Sequence, residues 1–162
     1  MKLNTLLCFV LLLLIHNTTG LEHLLNTEIQ KCLNCLCHAR SGCWSRFNCA
    51  RYSISKDYWI QAGSHSIAEH ENEDVAYKNC MNDENCILNT VKSYTEGFGL
   101  QDCNCDGQFD CKDRFAIHLF GSSCFNPTFG DVYADRFNDC AKQIGVKLMS
   151  KVEGDCSLET FT

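Results

Sequence analysis

Twelve consecutive residues, Asp102-Cys103-Asn104-Cys105-Asp106-Gly107-Gln108-Phe109-Asp110-Cys111-Lys112-Asp113, set oxygen-bearing side chains in a fixed rhythm. Asp102, Asn104 and Asp106 take the first, third and fifth positions, Gln108 the seventh, Asp110 the ninth and Asp113 the twelfth. Gly107 stands sixth, where the chain must turn sharply, and Phe109 is apolar at the eighth. This is the order in which one loop wraps a hard divalent cation in oxygen ligands. The spacing predicts a calcium site on these six residues. Asp113 replaces the bidentate Glu of a tight loop, which sets the affinity at ~10⁻⁴–10⁻³ M. The same residues also read as an acidic turn held by Cys103, Cys105 and Cys111 with no metal. No motif in the chain requires any other cofactor.

A second cluster, Cys32-Leu33-Asn34-Cys35-Leu36-Cys37-His38, offers soft ligands that suit zinc. In an oxidising compartment the same thiols form disulfides instead, and that is the reading adopted. Aromatic and imidazole groups supply the remaining chemistry. Tyr58 and Trp59 carry faces that stack on sugar rings or fill a core. His118 lies on an apolar helical segment, and His65 and His70 sit in a polar stretch that reads as solvated.

These groups need elements to hold them. Residues 22–39 place Leu24, Leu25, Ile29, Cys32, Leu33, Leu36 and Cys37 at helical spacing, and Ser41-Gly42 ends the run. Tyr52 and Ile54 alternate with polar residues, so 51–60 reads as a short strand region. Further helices are predicted over 75–81, 84–97, 112–120 and 132–144. Asn82 or Asp83 caps the second of these, whose buried stripe is Ile87, Val91 and Tyr94. Short helices with one small strand region, stitched by disulfides, predict a mainly helical α+β domain.

The 162 residues contain 14 cysteines and a single proline, and the net charge is −6. Hydrophobic residues at 45% exclude a disordered chain, and the acidic balance argues against nucleic acid or an anionic membrane as partner. Lys2, the ten-residue apolar run Leu6–Ile15 and small residues up to Gly20 read as a signal peptide over 1–20. The run is too short for a bilayer, which needs about 20 residues. The expected product is therefore secreted and extracellular, with a domain over 21–144 and a C-terminal extension over 145–162. Removing the leader takes Lys2 and Cys8. It leaves 13 basic against 20 acidic residues, a charge of −7, and an odd 13 cysteines. An odd count predicts at least one thiol outside the internal disulfides.

In order, Cys32-x-x-Cys35-x-Cys37, Ser41-Gly42-Cys43, Tyr58-Trp59-Ile60-x-Ala62-Gly63, Ala76-Tyr77-x-Asn79-Cys80, Asp83-x-x-Cys86, the Asp102–Asp113 loop, Ala116-Ile117-His118, Gly121-x-x-Cys124 and Cys140 form one pattern. That pattern resembles the invertebrate-type (i-type) lysozymes of the destabilase family, particularly their insect-like branch, over roughly 32–142. The resemblance implies a small disulfide-rich lysozyme-like domain. It also implies hydrolysis of β-1,4 bonds between N-acetylmuramic acid and N-acetylglucosamine in bacterial peptidoglycan, in antibacterial defence or digestion. Some relatives also cleave isopeptide bonds with a serine or lysine acting beside a histidine. His118 stands at the matching histidine position, and Ser53, Ser55 and Lys56 lie near the nucleophile region.

Glycoside hydrolysis ordinarily uses two carboxyl groups, one donating a proton to the leaving oxygen. The resemblance places that acid directly before Ser41-Gly42-Cys43, where this chain has Arg40. A guanidinium does not donate its proton usefully. The segment that carries the second carboxylate is missing between Cys43 and Cys49, and no acidic residue occurs between Glu28 and Asp57. No catalytic residue is therefore assigned. Arg40, Ser41, Tyr58, Trp59 and His118 are the cleft candidates. Two functions follow: a peptidoglycan hydrolase, or an inactive lysozyme-like protein that binds glycan or muropeptide in the old cleft. A third is a calcium-dependent secreted interaction module built on the acidic loop. The resemblance also makes Cys105 and Cys156 additions to the framework, expected to pair, and a monomer with one leftover thiol that could cross-link.

Overall fold

Residues 20–42, 54–125 and 129–146 are described by the computed structural model of the chain. The leader up to Thr19, Ser53, the segment from Cys43 to Cys49, and the extension beyond 146 with Cys156 lie outside the described residues. The described residues form α1 (Glu28–Ser41), α2 (Lys56–Gln61), α3 (Glu73–Cys80), α4 (Glu84–Glu96), α5 (Cys111–Phe120), a 3-10 turn (Gly121–Ser123) and α6 (Asp131–Ile144). The domain is mainly helical and disulfide-rich, as predicted. Among the described residues no strand forms.

Local signals set most helix ends. Thr27 caps α1 with its side chain on the Gln30 N–H, and Gly42 closes the helix at φ 74°, donating its N–H to the His38 carbonyl. A side chain at Gly42 would also crowd the Arg136 guanidinium, 3.0 Å from where its Cβ would stand, and displace that flexible group. Asp83, not Asn82, caps α4 by accepting the Cys86 N–H. The strand expected over 51–60 gives way to α2 in its described part. Ser55 accepts the Tyr58 N–H there and starts a helix, so a cap overrides a two-residue alternation.

The core sits on α1. Leu33, Cys35, Leu36 and Ala39 are wholly buried, and α1 packs most extensively along α6. Phe115 of α5 lies between two parallel rings, Phe129 at 5.0 Å and Phe137 of α6 at 5.4 Å. Offset stacked rings of this kind add to the area they bury. Val132 is 57% exposed, and the buried stripe of α6 runs through Ala134, Phe137, Cys140 and Ala141.

Two disulfides leave α1 one turn apart. Cys32 bonds Cys111 at the start of α5, and Cys35 bonds Cys140 in α6. Cys80–Cys86 clips α3 to α4, and Cys103–Cys124 joins the acidic loop to the end of α5. Cys37 and Cys105 are disulfide-bonded too. The pairing expected of Cys105 with Cys156 falls outside the described residues.

Upstream of α1, an extended strap is clasped by α4. The Asn89 and Asn85 amides donate to the Glu22 carbonyl, and their Oδ1 atoms accept the Glu22 and Leu24 N–H groups. Lys92 pairs with Glu22 and Glu96, and Arg114 of α5 donates to Glu96 and Thr95. Those partners hold Glu96 below the usual carboxylate range, against the opposing push of burial.

Loop length ranks the disulfides. Cys35–Cys140 spans 105 residues and Cys80–Cys86 only 6. Replacing Cys35 and Cys140 together by Ala should cost about 5 kcal/mol of unfolding free energy, against about 2 kcal/mol for Cys80 and Cys86. Denaturant unfolding of the two double variants measures both; equal losses would contradict the loop-entropy account.

Candidate functional site

The cleft candidates separate into three places. Arg40 and Ser41 end α1 and are exposed. The Ser41 hydroxyl donates to the Cys37 carbonyl at 2.8 Å. The Arg40 guanidinium lies 5.9 Å from the centre of the Tyr133 ring on α6, within cation–π reach. Arg136, one turn further along α6, packs against Gly42. The end of α1 thus presents the exposed Arg40 beside the half-buried Tyr133 and Arg136 of α6.

Tyr58 and His118 come together from α2 and α5, although 60 residues separate them. Tyr58 Oη and His118 Nδ1 are hydrogen-bonded at 2.9 Å. The Tyr58 ring stacks on Tyr94 of α4 at 3.6 Å, and Tyr94 meets Phe98 edge-on at 5.3 Å. Tyr58, Tyr94 and His118 are all half-buried, so this aromatic shelf keeps part of its surface open. Burial raises the Tyr94 phenol above its ordinary value.

Trp59 goes elsewhere. It is 1% exposed, tilts against Tyr77 and donates its indole N–H to the His65 carbonyl at 2.8 Å. Its faces are spent in the core, so it offers no surface to a sugar. Ser55 and Lys56 are also engaged. Ser55 caps α2, and Lys56 pairs with Glu73 and Asp74.

His65, read from sequence as solvated, is half-buried instead. Gly63 and Ser64 take left-handed φ values of 98° and 54°, which turns the chain back onto α4. His65 Nε2 then hydrogen-bonds Ser93 Oγ at 2.7 Å. The signal lay in Trp59, whose buried indole N–H needs an acceptor that the returning chain provides. His70 stays exposed.

In the acidic loop, Asp102 accepts the Asp106 and Gly107 N–H groups, Asn104 Oδ1 also accepts Asp106 N–H, and Asp106 Oδ1 accepts Gln108 N–H. Asp110 caps α5, and Asp113 returns the favour by accepting the Asp110 N–H. Asp113 is fully buried and also accepts the N–H groups of Cys103 and Asn104. Burial pushes its carboxyl up to about 6, while those N–H donors pull the other way. Gln108 is exposed. The donor set that calcium requires is present in type, but its oxygens serve the loop's own backbone. Among the described residues no three His, Cys, Asp or Glu side chains are grouped so as to hold a metal ion.

Burial, and then the charge of Lys92, lower the His65 pKa from its ordinary 6.5. The unfolded chain therefore binds more protons than the fold just below pH 6.5, and stability is lost as pH falls through that region. Between pH 7 and about pH 5.5 His65 lowers stability, while Asp113, its carboxyl raised to about 6, acts in the opposite sense. The contribution of His65 is therefore read as a difference: over that range the thermal midpoint of the unmodified chain should fall relative to that of a His65→Gln variant. Melting curves of both proteins measure it; an identical pH dependence in the variant would exclude His65.

The Destabilase family model matches residues 29–140 of the chain. Comparison with curated proteins and with solved structures finds no match.

Proposed function

The chain belongs to the Destabilase family of lysozyme-like proteins, and we propose that it is a secreted protein directed at bacterial peptidoglycan that binds glycan or muropeptide without cleaving it. One observation carries this reading. The position that the resemblance assigns to the catalytic acid holds Arg40, exposed at the end of α1 with its charge over Tyr133. A fixed cation there has no proton to give to a leaving oxygen. It is suited to charge-assisted hydrogen bonds with the carboxylates of muramic acid and its peptides. The absence of any carboxylate between Glu28 and Asp57 supports the same conclusion.

Secretion rests on the leader pattern, on the disulfides and on the lack, among the described residues, of any helix long and apolar enough to cross a membrane. Family membership favours a second reading, in which the protein hydrolyses peptidoglycan as lysozymes do. That reading needs a proton donor from outside α1. His118 is the one cleft candidate with a titratable proton near neutral pH, and it is bonded to Tyr58.

Purified oxidised protein should sediment with insoluble peptidoglycan and leave the turbidity of a cell-wall suspension unchanged. An Arg40→Ala variant should bind about tenfold more weakly, equivalent to about 1.4 kcal/mol. Robust clearing of cell walls by the unmodified protein would overturn the non-catalytic reading, and undiminished binding by the variant would remove Arg40 from the site.

A further inference from the structure

The acidic loop contains a cation of its own. Lys112 is the second residue of α5, directly after the Cys32–Cys111 disulfide. Its side chain is only 7% exposed, and its ammonium lies 3.8 Å from Asp106 Oδ2. A buried ammonium is costly unless an anion compensates it, and the Asp106 carboxylate stands beside it. Four aspartates fall within these twelve residues, and a cation beside Asp106 offsets part of that negative charge.

Asp113 completes the arrangement. At the twelfth position a calcium ligand would close the loop onto the ion. Here Asp113 closes it onto protein. One oxygen takes the N–H groups of Cys103 and Asn104, near the loop's beginning, and the other takes the Asp110 N–H near its end. The Cys103–Cys124 disulfide then ties the entry of the loop to the far end of α5. A divalent ion placed on Asp106 would stand beside the Lys112 ammonium, and like charges at such a distance repel strongly away from bulk water.

We propose that the Asp102–Asp113 loop is a metal-independent clasp, in which the Lys112 ammonium and the Asp113 carboxylate do the work that a calcium ion does in loops of this spacing. The charge is supplied by Lys112 beside Asp106, and the closure by the three backbone N–H groups on Asp113. The inference does not depend on whether the protein binds or cleaves glycan.

Thermal melting of the full secreted chain, in EDTA and in millimolar calcium chloride, tests it. The midpoint should be the same in both, and calorimetric titration with calcium should give no saturable heat. A rise of about 3 °C or more in calcium, or a saturable binding isotherm, would overturn the proposal. Lys112→Met keeps the apolar stem and removes the charge; its midpoint in EDTA should fall by about 5 °C. A variant as stable as the unmodified chain would overturn the part assigned to Lys112. If the variant fails to fold, the calcium and EDTA comparison on the unmodified chain still decides the matter.

Discussion

The structure depends on two cysteines one helical turn apart. Cys32 and Cys35 project from the same side of α1 and hold α5 through Cys111 and α6 through Cys140. A domain of this size buries a modest core, and closing long loops covalently removes much of the unfolded chain's entropy. The three helices meet where the side chains are most completely buried, around Leu33, Leu36, Phe115 and Phe137. Everything outside this joint is arranged relative to it. The end of α1 reaches solvent at Arg40, and the start of α5 fixes both the acidic loop before it and His118 within it.

Around that joint, polar contacts position what packing alone leaves free. The Asn85–Asn89 clasp pins the strap preceding α1, and the Glu22, Lys92, Glu96 and Arg114 charges join strap, α4 and α5. On the neighbouring face of α4, Tyr94 and Ser93 receive Tyr58 and His65 from the segment 54–65. One helix therefore organises both the strap and the aromatic shelf. Tyr58 is held twice, by stacking on Tyr94 and by its hydrogen bond to His118, and His65 is tied both to Ser93 and, through its carbonyl, to the Trp59 indole.

The scaffold and the residue at position 40 are energetically separate. Arg40 is exposed in the last turn of α1, and the disulfides and the core make no use of it. A cation there complements the negative end of the helix dipole, whereas a carboxylate at the same place opposes it. Arginine is therefore locally favourable at this place, independently of what the exposed charge contacts in solution.

Much of this was legible in the sequence because it is decided within a few residues. Asp83 and Gly42 bound their helices through hydrogen bonds to groups at most four positions away, whereas the apolar spacing carried the first helix back to 22 and Thr27 starts it only at Glu28. The cysteine-rich, acidic composition fixed the disulfide-rich character, and the order of cysteines and motifs fixed the family. Which cysteines pair was not determined, since many pairings satisfy the same spacings until the helices pack. Tyr58, Tyr94 and His118 lie on three helices, and no local pattern joins them. His65 read as solvated because its neighbours are polar; the turn at Gly63-Ser64 and the buried Trp59 indole bring it inward. The acidic loop shows the division most plainly. Spacing determined that its oxygens repeat as in a cation loop, and only the tertiary structure decided where they point. The start of α5 buries Lys112 beside Asp106 and turns Asp113 onto the backbone, because burial requires each polar group there to find its partner within the protein.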